Sequence, residues 1–210
     1  MSTRTRITAA AAAVLILGGS AAGTAAVASP TTAPASASSS DARTSASAAD
    51  RSTSAAAAGS YYLKFDKNQR NQTKSTLYLM KSVSGPDRVI KKYRAGSGVA
   101  KNSCTRFKGW LPNGTYDIKF HQKRYNGSLI KGYVIKISDK RCSNGTLRND
   151  LFIHSEMTRN GGQGSTEAFR WDGASDYKSS GCIKLKPADI KNLFSTADSR
   201  GWPKKLTVVS

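Results

Sequence analysis

Ser179-Ser180-Gly181-Cys182-Ile183-Lys184-Leu185 places a cysteine directly after a glycine, between small polar residues and an apolar–basic–apolar run. Gly181 frees the backbone for a tight approach, and its serine neighbours cannot hide the thiol behind bulk. Such a thiol can attack an electrophile if a base stands nearby. Upstream, His154 ends the apolar run Leu151-Phe152-Ile153 and is followed by Ser155. A single cysteine with a histidine elsewhere in the chain is a pattern of thiol acyl transfer. The imidazole would take the thiol proton to give a thiolate–imidazolium pair, and Lys178 and Lys184, close in sequence, would favour the thiolate. The bland alternative for Cys182 is a buried inert thiol or an intermolecular bridge. His121, beside Lys123 and Arg124, reads as a hydrogen-bonded surface residue at a solvated hairpin end.

The sequence around this pair is organised for strands. From Tyr61 onward the polarity alternates with period two, as in Leu77 to Ser82, and Val89-Ile90 precedes a basic strand end. Thr115 to Phe120, Leu129 to Ile137 and Asp150 to His154 are rich in Ile, Val, Tyr and Phe and predict further strands. Asn113-Gly114, Asn126-Gly127 and Asn144-Gly145 carry the dipeptide favoured at two-residue hairpin turns. Together with Asn71-Gln72-Thr73 they also fit the glycosylation acceptor pattern. Pro187 to Ala197 predicts a helix, with proline near its start and Ile190, Leu193 and Phe194 on one face. Leu206 to Ser210 reads as a closing strand. The expected domain is β-rich, with one substantial helix after the cysteine.

The segment preceding that domain differs in kind. Arg4 and Arg6, an uncharged stretch from Ile7 to Ala28, and the small-x-small exit Ala26-Val27-Ala28 make residues 1–28 a signal peptide. The alternative is a retained anchor, but the second half of the stretch is only weakly apolar. Residues 29–59 are mostly Ser, Ala and Thr and cannot bury enough apolar surface to order themselves, so they read as a flexible linker. Residues 60–210 form the candidate catalytic domain. An exported chain permits disulfides. Cys104 and Cys142 both lie in polar, loop-like sequence and are expected to pair, leaving Cys182 free.

The pairing of Phe152-Ile153-His154-Ser155 with Ser179 to Leu185, then Pro187-Ala188-Asp189-Ile190 leading to Leu193-Phe194, resembles the L,D-transpeptidase catalytic domain of the YkuD type. Gly109-Trp110-Leu111-Pro112-Asn113-Gly114-Thr115-Tyr116 looks like that family's Thr-Pro-x-Gly-x-aromatic segment, so the resemblance covers roughly residues 60–210. Ser180 stands where the family usually has histidine, and the loop from His154 to Cys182 is longer than the family usually shows. The resemblance implies a mixed β-sandwich or barrel-like fold. It implies Cys182 as nucleophile, His154 as general base and proton donor, a backbone carbonyl near Ser155 orienting the ring, and an oxyanion hole of backbone N–H groups at Gly181 and Cys182. Lys184 and Ser180 become substrate-binding positions. Lys184 would meet a substrate carboxylate as a point charge, or it is a solvated strand lysine. The implied activity is cross-linking of peptidoglycan stem peptides through a thioester, with release of a terminal D-amino acid. The alternatives are an L,D-carboxypeptidase or wall hydrolase on the same scaffold, or a decayed basic wall-binding module.

Other chemistries fail on inventory. His154-x-Glu156 lacks the Pro-Cys-x-x-Cys of zinc deaminases, and two histidines with three cysteines offer no convincing zinc spacing. Gly96-x-Gly98 lacks the third glycine of a dinucleotide loop. No metal or other cofactor is called for. The net charge is +20, of which +18 falls in residues 60–210. That excess fits attraction to anionic cell-wall polymers. Export removes the chain from intracellular nucleic acid, so no nucleic-acid partner is expected, nor is stable membrane association after cleavage. The domain is expected to act as a secreted, wall-associated monomer. Tyr61, Tyr62, Tyr78, Tyr93, Phe107 and Trp110 either line a stacking surface or, more commonly in β-rich domains, fill the core.

Overall fold

The computed structural model of the chain describes residues 59–210. The segments expected to be a signal peptide (1–28) and, but for its last residue, a flexible linker (29–59) lie outside the described residues.

β1 (Tyr61–Asp66), β2 (Ser75–Lys81) and β3 (Arg88–Ser97) form an antiparallel meander. β4 (Gly114–Asn126) and β5 (Lys131–Ile137) form a hairpin, and β6 (Lys140–Arg141) with β7 (Leu147–Arg148) makes a small separate ribbon. Two three-residue strands follow, β8 (Phe152–His154) and β9 (Ile183–Leu185), then the helix α1 (Pro187–Arg200) and the final strand β10 (Lys205–Val209). Eight strands close into a barrel in the order β1-β10-β4-β5-β8-β9-β3-β2. Closure leaves none of these eight strands at a sheet edge. The expected β-rich, barrel-like domain with one helix after the cysteine is the fold observed.

Alternation accounts for the core. Leu63 and Phe65 of β1 oppose Leu79 and Leu77 of β2, and all four are fully buried. Each such side chain contributes on the order of 1.5–3 kcal/mol on leaving water. α1 begins with proline in its first turn and carries Asp189 near its positive end and Arg200 near its negative end. Its Ile190, Leu193, Phe194 and Ala197 repeat at helical spacing, and the first three join the same buried cluster as the strands. Tyr93 and Trp110 are core residues, whereas Phe107 stays largely exposed.

Three expectations need correction. β4 runs on to Asn126, so His121 lies within a strand, its ring stacked on Trp202 with centroids 3.4 Å apart. Irregular register between Ile118 and Phe120 and between Gln122 and Tyr125 breaks the period-two signal that would have revealed this length. Asn113-Gly114 makes no hairpin, because Gly114 already belongs to β4 and pairs with Val208 of β10. Asn126-Gly127 opens a longer connection closed by the Gly127 N–H donating to Ile130 O at 3.0 Å. Only Asn144-Gly145 lies in a tight turn, between β6 and β7.

Cys104 and Cys142 form a disulfide with Cα atoms 5.8 Å apart, tying the segment between β3 and β4 to the β6–β7 ribbon. Closing a loop of this sequence separation stabilises by about 4 kcal/mol in the chain-entropy model. Thiol titration of the denatured protein should therefore give one free thiol per chain without reductant and three after reduction, with a lowered melting temperature in the reduced form. Three free thiols without reductant would exclude the bond.

Candidate active site

Two short strands create the site. β8 and β9 run parallel in the register Ile153↔Ile183 and His154↔Lys184. Successive residues of a strand point to opposite faces, and here the division is clean. Ile153 and Ile183 face inward and are fully buried in the core. Phe152, His154, Cys182 and Lys184 share the other face and line one cavity of about 690 Å³. Cys182 and His154, 28 positions apart in sequence, thus open onto the same space.

The loop before Cys182 is held carbonyl by carbonyl. Arg148 donates to Ser180 O at 3.1 Å, Ser97 Oγ to Gly181 O at 3.2 Å, and Ser179 Oγ to Cys182 O at 2.6 Å. Gly181 has φ +122°, a region closed to side chains, and a Cβ there would lie 2.1 Å from an Arg148 nitrogen. Glycine is required twice over, by conformation and by space. Its N–H donates to Ser179 Oγ at 3.1 Å, so this expected oxyanion donor is engaged within the loop. Gly96 of β3, one of the two glycines that failed as a dinucleotide loop, is needed for close approach, since a Cβ there would meet Tyr177 O at 2.3 Å.

His154 Nδ1 lies 3.1 Å from Ser155 O. A carbonyl can only accept, so Nδ1 carries the proton and Nε2 is the basic nitrogen. Burial, with the Lys184 charge adding to it, pushes the imidazole down to about 3 from its usual 6.5. Burial pushes the Cys182 thiol up, only partly offset by the Phe152 backbone N–H and by the charges of Lys136, Lys184 and Arg148. Both shifts favour the uncharged forms, against the thiolate–imidazolium pair expected from the sequence. The thiol is turned to Asp150 O at 3.6 Å, a carbonyl presented by a residue with φ +53°. Lys178 is exposed and is not among the charges acting on the thiol.

The two expected substrate-binding positions fare differently. Ser180 is exposed and lines the cavity. Lys184 also lines it but is buried and ion-paired with Glu156. Its charge is already answered from within the protein, unlike that of a solvated strand lysine. Arg148, Ser97, Ser179 and Glu156 are the site residues not assigned a role from sequence. Arg148 is one of 33 basic residues and sits in no motif, so nothing in the linear pattern separates it from surface charge. Among the described residues, the acidic group Glu167, Asp172 and Asp176 is spaced for a cation, but Arg170 already pairs with the first two.

Gly181→Ala should cost about 1–3 kcal/mol in backbone strain alone and displace Arg148, so turnover should fall while Gly85→Ala, in open space, leaves it unchanged. Equal turnover in the two variants would contradict this account of the loop. The depressed His154 also makes a pH prediction. Between about pH 6.5 and 3 the unfolded chain binds a proton at this position that the folded one does not, so stability is full above this window and is lost as pH falls through it. The limiting loss is on the order of 5 kcal/mol for so large a shift. His154→Gln should reduce the drop in melting temperature between pH 7 and pH 4; an undiminished drop would count against the buried neutral imidazole.

A family model described as the L,D-transpeptidase catalytic domain, YkuD, matches residues 60–209. A search of curated proteins gives no match. Among solved structures, Bd1075 of Bdellovibrio bacteriovorus is similar at 16% identity and a TM-score of 0.47, over 72% of this chain and 49% of that one. The helical cell shape determining protein Pgp2 of Campylobacter jejuni is similar at 16% identity and a TM-score of 0.46, over 71% and 48%. The chain thus spans about half the length of these structures. With a family match over 60–209 and a closed barrel that carries His154 on β8 and Cys182 immediately before the adjacent β9, the chain belongs to the YkuD family of L,D-transpeptidase catalytic domains.

Proposed function

We propose that this protein is an exported peptidoglycan L,D-transpeptidase that works through a cysteine thioester. The observation that carries the reading is the parallel pairing of β8 with β9, which turns Cys182 and His154 into one cavity while Ser155 O holds the imidazole tautomer. In the proposed reaction His154 Nε2 takes the thiol proton as Sγ attacks the carbonyl carbon before a terminal D-amino acid of a stem peptide. The oxyanion is met by backbone N–H at Cys182, and Gly181 joins only if its N–H leaves Ser179 Oγ. The tetrahedral intermediate collapses, the C–N bond breaks, and His154 returns the proton to the departing amine. An acceptor amine then attacks the thioester, His154 takes its proton, and the new amide leaves Cys182 as thiol.

A neutral imidazole and a neutral thiol suit this sequence, since the proton moves only when an electrophile is present to draw it. Water in place of the amine would give the L,D-carboxypeptidase product from the same thioester. Residues 1–28 act in this reading as export signal, 29–59 as tether and 60–210 as a monomeric catalytic unit. The excess positive charge draws the domain to anionic wall polymers at long range.

Incubation with a disaccharide-tetrapeptide, followed by intact mass and chromatography, should show an acyl adduct on the protein, a cross-linked dimer and free D-amino acid. Cys182→Ala should abolish all three. Product without cross-linking would identify the carboxypeptidase, and turnover surviving Cys182→Ala would sink the cysteine mechanism. Absence of adduct and product with retained wall binding would favour the decayed binding module.

A further inference from the structure

Arg148 is 3% exposed, and among the described residues it makes no ion pair with a carboxylate. Its guanidinium is instead ringed by backbone carbonyls from three separate segments. One terminal nitrogen donates to Trp110 O at 3.2 Å and to Ser103 O; the other donates to Gly109 O at 3.0 Å and to Ser180 O at 3.1 Å. Carbonyl dipoles satisfy the hydrogens but do not neutralise the charge. A buried cation with no anionic partner thus sits directly behind the peptide that leads into Cys182.

We infer that Arg148 is the positioning residue of the nucleophile loop: it fixes the Ser180–Gly181 peptide, and its unneutralised charge offsets the negative charge that forms on Cys182 Sγ when the proton leaves. The disulfide serves the same end. Cys104 follows Ser103, whose carbonyl is one of the four acceptors, and Cys142 anchors the ribbon whose second strand carries Arg148. The bond therefore clamps donor and acceptor together. A planar fork with two donors on each terminal nitrogen fits this four-carbonyl ring; a lysine ammonium has three donors on a single atom and cannot span it. Charge and geometry can be separated on that basis, Lys keeping the first and losing the second. The groups facing the thiol are the Asp150 carbonyl, the Phe152 N–H and the charges of Lys136 and Lys184, so Arg148 acts within a set and its removal shifts the thiol without abolishing its titration.

The inference rests on Cys182 being the nucleophile, but its test needs no peptidoglycan. With Cys104 and Cys142 joined, Cys182 is the free thiol, and its iodoacetamide alkylation rate can be followed against pH by intact mass in the full-length protein. Arg148→Gln should move the alkylation profile upward, so that the reaction at pH 7 is severalfold slower than in the wild type. Arg148→Lys should keep a profile near that of the wild type yet lose cross-linking turnover, which a purely structural role would not separate. If Arg148→Gln fails to fold, Cys104→Ala with Cys142→Ala tests the clamp: alkylation at pH 7 should slow in that double variant with Arg148 still present. Profiles that coincide in wild type, Arg148→Gln and Arg148→Lys would overturn the inference, as would a clamp variant that alkylates at the wild-type rate where Arg148→Gln cannot be made. A shifted profile in a protein that turns over no stem peptide would leave it standing and remove the transpeptidase reading instead.

Discussion

The parallel contact between β8 and β9 is the constraint on which everything else hangs. Each strand is three residues long, too short to hold its own register through hydrogen bonds. The register is imposed from outside, by β5 against β8 and by β3 against β9, and by the fully buried Ile153 and Ile183 at the shared position. Because side chains alternate, a slip of one residue would turn Cys182 into the core and Ile183 into the cavity. Burying those two isoleucines is thus what aims Cys182 into the cavity.

Burial also decides the electrostatics. A domain with so large a positive excess would be expected to hold its cysteine as a thiolate, yet the thiol is raised and the histidine lowered. Desolvation penalises both charged forms and is the largest influence on each. Lys184, the nearest ammonium in sequence, spends its charge on Glu156. The positive excess of the domain therefore does not set the charge at the site, where burial favours the uncharged form of both groups.

The loop carrying Cys182 is held by residues scattered along the chain. Ser97 comes from the end of β3, Arg148 from the β6–β7 ribbon and Ser179 from the loop itself, and they hold three consecutive carbonyls. Three side-chain anchors on three consecutive carbonyls make a stiff support. Stiffness matters here because Gly181, left alone, is the most permissive residue in the loop.

Several features were determined by the sequence alone, because each is written in neighbouring residues: the period-two runs of the barrel, the proline-led helix with Ile190, Leu193 and Phe194 on one face, the Gly181-Cys182 pair, the isolated His154 and the two remaining cysteines. Tertiary structure decided what depends on distance through space. The length of β4 was hidden by its irregular register, and the role of Asn113-Gly114 by a strand from the far C-terminus that pairs beside it. Whether Lys184 met solvent, substrate or Glu156 depended on the pairing of β9 with β8, which sets Lys184 opposite His154, two residues before Glu156. Arg148 depended on four carbonyls that no linear pattern brings together. The protonation states of Cys182 and His154 followed the depth of burial, which is a property of the closed barrel and of no single stretch of chain.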